Sequence, residues 1–226
     1  MQIGNRVLLR RRSVAKSLVE EFSGVPRANV SDSMGRLFAG GARIRPMHAS
    51  GEMAGVAITV KSRPGDNLML HKAVNMSEPG DVIVVDASGD LTNALLGDLM
   101  LTYAKKRGVA GFVVNGAVRD VDLVKEINLP VYAAGITHRG PYKTGPGEVN
   151  VPISIDGMII EPGDLVLGDS DGFLCVPYDL VPEVLKLAKA KQAAEDLQLK
   201  KIEAGENDRT WVDKALAAIN CEIEEA

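Results

Sequence analysis

The chain has 226 residues, of which 46% are hydrophobic and 25% charged, with a formal net charge of −4. That length fills one sizeable core, and no shift in composition marks a second independent domain. The mild acidity argues against a nucleic-acid or anionic-membrane partner, and 4% aromatic residues leave few platforms for stacking bases.

From the N-terminus, Arg10-Arg11-Arg12 reads as the solvated start of a helix, followed by helical apolar spacing over residues 13–22. A second short helix follows Pro26 and includes Ser31-Asp32-Ser33-Met34, and Gly40-Gly41 breaks the pattern. Residues 52–61 read as a strand, Asp66-Asn67 caps a helix to about residue 74, and 82–86 is a short buried strand. Asn93 or Gly97 begins the next helix, which stops at Arg107-Gly108. A strand at 109–114, a helix at 121–127 and a strand at 130–134 follow.

Between residues 148 and 176 the runs 149–155, 158–160, 165–167 and 173–176 are separated by Asp-Gly and Pro-Gly-Asp turns, so this half is expected to be largely antiparallel. Pro-Gly-Asp recurs at 64–66, 79–81 and 162–164, which reflects turn chemistry. Residues 180–204 carry Val181, Val184, Leu185 and Ala188 at helical spacing, and 211–219 suggest a further helix with the lone Trp211. The expected organisation is an α/β domain at 1–179 and a helical arm at 180–226, whose amphipathic face suits self-association. Cys175 and Cys221 make neither a disulfide framework nor a Cys-x-x-Cys pair, so a cytoplasmic location is expected. No stretch has the length of an apolar membrane span, and no secretion signal is expected.

The segment from Gly97-Asp98-Leu99-Met100 to Gly116-Ala117-Val118-Arg119-Asp120 carries the most chemistry. A helix starting after Gly97 aims the unpaired amides of Asp98, Leu99 and Met100 outward, where the dipole attracts a carboxylate. Arg119 and Asp120 fall at the carboxyl end of a strand, the rim at which open α/β sheets collect ligands. Taken singly, Asp98 and Asp120 suit helix starts and Arg119 a surface ion pair. Together they suit Mg²⁺ or Mn²⁺ and a small keto acid, because one carboxylate plus waters leaves positions open on a hard cation.

Zinc fits poorly, since His48, His71 and His138 lie far apart and lack His-Glu-x-x-His spacing; a lone imidazole is more often structural. Asn67 and His71 fall one helical turn apart on one face and could overlook the same cleft. The segment Gly140-Pro141-Tyr142-Lys143-Thr144-Gly145-Pro146-Gly147 has Pro146 where a phosphate loop needs Lys, but Lys143 can close over an anionic substrate. Lys61 and Lys143 could in principle form Schiff bases, and nothing in the sequence supplies the desolvation that would activate them.

Pro64-Gly65-Asp66-Asn67, Pro79-Gly80-Asp81-Val82, Gly97-Asp98-Leu99-Met100, Arg107-Gly108-Val109-Ala110-Gly111, Gly116-Ala117-Val118-Arg119-Asp120, and the run from Gly145 through Pro152, occur in the order of the 4-hydroxy-4-methyl-2-oxoglutarate aldolases. The chain resembles that family over roughly residues 26–205, through Pro162-Gly163-Asp164 and Asp169-Ser170-Asp171-Gly172. The wider superfamily also holds ribonuclease-activity regulators. The resemblance implies a swivelling β/β/α domain assembled as trimers or stacked trimers, with active sites between subunits. It implies a metal-dependent pyruvate aldolase acting on 4-hydroxy-4-methyl-2-oxoglutarate or 4-carboxy-4-hydroxy-2-oxoadipate, with oxaloacetate decarboxylation. By motif, Asp120 is the direct metal ligand, Asp98 holds metal-bound water and Arg119 faces substrate oxygens. The Leu99 and Met100 amides then bind the pyruvyl carboxylate, and Glu195 reaches the site of an adjacent subunit. Asn115 departs from the pattern, in which Asp often precedes Gly116. Regulators often lack the acid after the motif Arg, so Asp120 favours the enzyme over a non-catalytic protein-binding oligomer.

Overall fold

Aliphatic runs without polar alternation need cover on both faces, and in the computed structural model, which describes residues 3–224, they form the inner strands of a large sheet. In chain order the first elements are β1 (Asn5–Val7), α1 (Lys16–Glu20), α2 (Arg27–Ser33), β2 (Arg45–Pro46), β3 (Met53–Ser62), α3 (Leu68–Met76) and β4 (Asp81–Asp86). Next come β5 (Ala94–Leu96), α4 (Asp98–Lys106), β6 (Gly111–Val118), α5 (Val121–Ile127) and β7 (Val131–Ile136). The chain ends with β8 (Gly147–Val149), β9 (Ile153–Ile155), β10 (Met158–Ile160), β11 (Leu165–Asp169), β12 (Gly172–Val176), α6 (Val181–Glu203) and α7 (Thr210–Ala218).

Strands β3, β4, β6 and β7 lie parallel in that order, so their carboxyl ends share one rim. On the other side of β3, antiparallel β8 covers its last residues and antiparallel β11 its first ones. Leu70, Val74, Leu101, Ala104 and Val124 of α3, α4 and α5 cover one sheet face. The antiparallel β9–β10 hairpin covers the other with Ile153, Ile155, Met158 and Ile160. The result is an α/β molecule in β/β/α layers. A third cluster joins α2, β11, β12 and the start of α6 through Val30, Leu165, Val176, Val181, Leu185 and Ala188.

The first turns of α6 therefore belong to the domain body, while Leu197, Leu199 and Ile202 farther along are exposed and α7 buries no residue. Among the described residues no helix is long and apolar enough to cross a membrane. The largely antiparallel character of the 148–176 half is observed, and Gly97 rather than Asn93 precedes the fourth helix. The first helix is shorter than its apolar spacing suggests, and β6 runs on to Val118 through a register shift after Val114. The shift follows Asn115-Gly116, where ladder pairing is interrupted.

The reading of Arg10-Arg11-Arg12 as a solvated helix start is wrong. This segment is an irregular strap, and two of its arginines are held by carboxylates. Glu78-Pro79-Gly80-Asp81 and Glu161-Pro162-Gly163-Asp164 fold alike: each aspartate Oδ2 accepts the amide of the glutamate three residues back, at 2.8 Å. The other oxygen accepts from Arg10 at 2.5 Å (Asp81) and from Arg12 at 3.1 Å (Asp164). The two turns flank β3 at Val56, so the strap clamps both neighbours of that strand. Asp81 is 3% exposed, and removing its guanidinium leaves a buried charge uncompensated. Arg10→Ala is expected to destabilise the fold by about 3 kcal/mol, read from the urea unfolding midpoint. A midpoint equal to wild type would mean the clamp is dispensable.

Candidate functional site

Three corners of the chain meet at the carboxyl rim. At the first, Gly97 is extended and α4 begins with no side-chain cap. Leu101 is the first residue whose amide bonds back, to Gly97 O at 3.1 Å, so the amides of Asp98, Leu99 and Met100 stand ahead of the helical ladder. They carry the positive end of the helix dipole.

The second corner follows β6. The Arg119 amide donates to Leu96 O at 3.0 Å, and Asp120 turns the chain into α5 at φ 58°, ψ 40°. Asp accepts this left-handed conformation more readily than most residues. Its carboxylate makes no capping bond to α5; Oδ2 instead accepts the Asp98 amide at 3.3 Å and lies 3.4 Å from Arg119 Nε. A Cβ on Gly97 would stand 2.6 Å from that oxygen and 3.1 Å from Arg119 Nε, so the two corners meet because residue 97 has no side chain.

The third corner joins the head of α3 to the loop at 140–146. Asn67 is buried; its Nδ2 donates to Leu95 O at 2.9 Å while its Oδ1 has no partner. His71 lies one turn on, with its amide donating to Asn67 O at 3.0 Å. The Asn67 amide donates to Tyr142 O and the Tyr142 amide to Gly65 O, which seats Lys143 near α3. Asn67, His71, Asp98, Leu99, Met100, Arg119 and Lys143 line one cavity of about 150 Å³. Asp120 stands behind Arg119, on a second cavity of about 380 Å³ with Thr137 and His138, so the Arg119 side chain is a wall common to both. Larger cavities of about 410 and 720 Å³ follow the Arg10–Arg12 strap and contain none of these residues.

The small cavity gathers positive charge from Lys143, Arg119 and the α4 terminus, with acids on one side. Burial, with a smaller contribution from the Lys143 ammonium, pushes the His71 imidazole below its ordinary value of 6.5. Its charge is therefore absent at neutral pH. Among the described residues no three His, Cys, Asp or Glu side chains cluster as a metal cage. Asp98 and Asp120 offer oxygen only, with Asp120 33% exposed, a donor set that fits a hard divalent cation completed by water and substrate and does not fit zinc. The notch over Gly97 fixes the position of the Asp120 carboxylate that such an ion would meet.

Other expected residues lie elsewhere. Glu195 pairs with Lys191 at 3.3 Å on the surface of α6, outside this cleft within the chain. His48 is structural, held at the backbone of Val131 and edge-on to Tyr132. Lys61 and Lys143 are exposed, and neither has the desolvation a Schiff-base lysine needs. Asn115 donates to Asp86 at 2.9 Å and accepts from Arg43 at 2.8 Å, so its side chain serves a network separate from Asp98 and Asp120. Sequence reasoning missed the strand wall at 94–96 and the anchoring role of Asp66, which it read as a helix cap. Both depend on contacts between segments distant in sequence.

Residues 27–175 match the RraA-like family model, described as Aldolase/RraA. A provisionally named 4-hydroxy-4-methyl-2-oxoglutarate aldolase of Halalkalibacterium halodurans is 43% identical over 178 residues, 79% of this chain and 85% of that protein. An uncharacterized protein from Pseudomonas syringae superimposes with a TM-score of 0.77 at 30% identity, covering 85% of this chain and 95% of the other. The RNA-processing inhibitor RraA from Thermus thermophilis does so with a TM-score of 0.63 at 32% identity, covering 67% and 92%. With the family model spanning most of the sheet and all three site corners, the chain belongs to the RraA-like, Aldolase/RraA family.

Proposed function

We propose that the chain is a divalent-cation-dependent (class II) pyruvate aldolase. Its substrates are 4-hydroxy-4-methyl-2-oxoglutarate, 4-carboxy-4-hydroxy-2-oxoadipate or both, cleaved to pyruvate and a second 2-oxo acid, with oxaloacetate decarboxylated at the same site. The names of its relatives support a lyase. The observation that carries the reading is the Asp120 carboxylate seated on the Asp98 amide, beside open α4 amides and Arg119.

Asp120 would hold Mg²⁺ or Mn²⁺ directly and Asp98 through water; the ion supplies Lewis-acid withdrawal at the keto oxygen. The Leu99 and Met100 amides bind the pyruvyl carboxylate, and Asn67, His71 and Lys143 receive the far end of the substrate. Asp98, through a water it holds, would take the 4-hydroxyl proton, with Glu195 from an adjacent subunit as the alternative base, and the proton would return to the enolate carbon to give pyruvate. As the carbon–carbon bond breaks, Arg119 faces the enolate oxygen, where a positioned donor is worth on the order of 3 kcal/mol. Loss of CO₂ from oxaloacetate yields the same enolate, so one constellation serves both reactions. The exposed Leu197, Leu199 and Ile202 support packing of the arm on a neighbour in a trimer or hexamer. We infer a cytoplasmic protein with no nucleic-acid or membrane partner. The likeness to an RNA-processing inhibitor favours one other reading, a non-catalytic regulator; capture of a ribonuclease without keto-acid turnover would select it.

Pyruvate release from oxaloacetate, followed with a lactate dehydrogenase couple, is expected to require added Mg²⁺ or Mn²⁺ and to stop with chelator. Asp120→Ala is expected to abolish metal-dependent turnover, and Arg119→Ala to lower kcat by about 10²-fold while Mn²⁺ affinity changes little. Full activity in Asp120→Ala would overturn the reading. Because a methyl group at residue 97 meets the Asp120 carboxylate, Gly97→Ala is expected to weaken Mn²⁺ binding by about tenfold in titration calorimetry, with the unfolding midpoint little changed because the extended backbone admits alanine. Because burial holds the imidazole below 6.5, only acidification past that value places a proton on His71 and a further positive charge in the cleft. The KM for oxaloacetate is therefore expected to fall as pH decreases from about 7 to 5, and His71→Gln to flatten that slope.

A further inference from the structure

The carboxylate of Asp66 is 1% exposed yet is shared between two adjoining segments that both line the cleft. Its Oδ1 accepts the Leu68 amide at 2.9 Å, at the head of α3, the helix that carries His71. Its Oδ2 accepts the amides of Thr144 at 2.7 Å and Gly145 at 2.9 Å, directly after Lys143. Arg63 stands 3.5 Å from Oδ2 and lies over the Tyr142 ring at 5.7 Å. Burial opposes the charge on Asp66, but the three amides and Arg63 outweigh it and hold the carboxyl below its ordinary value.

We propose that Asp66 is a positioning residue that sets the distance of Lys143 from His71 and Asn67, and so fits the cleft to a 2-oxo diacid whose far carboxylate lies between them. The inference rests on the aldolase reading and adds to it a residue that touches no substrate and acts through Lys143. The physical basis is a count of donors. Three backbone N–H groups converge on two oxygens, and an ionised carboxylate satisfies all three because it only accepts. An asparagine of the same shape must turn its NH₂ toward either Leu68 or the Thr144–Gly145 pair. Donor then faces donor, and one segment is released while the other stays held. Lys143 is exposed, and among the described residues no hydrogen bond or ion pair holds its ammonium, so loop freedom becomes freedom of the ammonium.

Asp66→Asn, Lys143→Met and the double variant are compared in the Mg²⁺-loaded protein with oxaloacetate, together with amide hydrogen exchange of residues 140–146. Asp66→Asn is expected to speed exchange of that segment and to raise KM about tenfold while kcat stays within about twofold. The double variant is expected to match Lys143→Met, because Asp66 acts through Lys143. Equal loss of kcat and kcat/KM, additive losses in the double variant, or unchanged loop exchange would each overturn the assignment. Wild-type protein without metal-dependent turnover would instead remove the reaction and, with it, the diacid assignment; loop exchange separates the two failures because it does not depend on activity.

Discussion

The site depends on one hydrogen bond, from the Asp98 amide to the Asp120 carboxylate at 3.3 Å. It joins the start of α4 to the end of β6, two corners separated in sequence by a helix and a strand. The bond forms because Gly97 leaves open the volume a side chain would fill and because Asp120 accepts a left-handed backbone, at a cost of about 1–3 kcal/mol. This acid gives its own helix no cap and makes one long bond to the head of α4. Strain kept for so weak an internal return is the physical reason to treat it as functional.

The layers explain why the corners meet at the rim. Parallel β4 and β6 are buried on both faces, and each must be followed by a helix that returns across the same face. Their carboxyl ends are therefore adjacent, and the loops leaving them share one edge. The α3 head and the 140–146 loop arrive at that edge by a different route. The loop enters β8, which is antiparallel to β3 and parallel to β1, so the cleft has one wall from the parallel sheet and one from its antiparallel flank. Such a seam admits a ligand without opening the core.

Much of this was legible in the chain. The helix stop at Arg107-Gly108, the α/β order and the antiparallel second half follow from local turn chemistry and periodicity, which act over a few residues, while the start of that helix stayed open between Asn93 and Gly97. Helical spacing sets Asn67 and His71 on one face, the 140–147 loop carries Lys143, and Asp98 and Arg119 fall about one βαβ step apart; in the structure all five line one cavity. Local reasoning failed where the deciding partner lies far along the chain. Arg10 and Arg12 read as a solvated face because nothing nearby in sequence opposes them; their partners are 71 and 152 residues away. The short β1 and β2 were missed for the same reason, since a strand of two or three residues exists only by virtue of its neighbour.

The buried acids of this molecule contrast with the two at the rim, and the contrast argues for the site without reference to relatives. Asp66, Asp81, Glu148 and Asp164 are between 1% and 8% exposed, and each meets both backbone amides and an arginine. Such groups are stable in the interior because their charge is matched, and removing a partner costs far more than the pair contributes. Asp98 and Asp120 are half-exposed, and the Asp120 carboxylate meets one amide at a long distance and one guanidinium at 3.4 Å. It retains oxygen lone pairs facing solvent, beside helix amides that also face solvent. An arrangement that holds unspent acceptors next to unspent donors satisfies neither set within the chain. Its complement is a ligand that is cationic where it meets the acids and anionic where it meets the amides, as a divalent cation chelated by a 2-oxo acid would be.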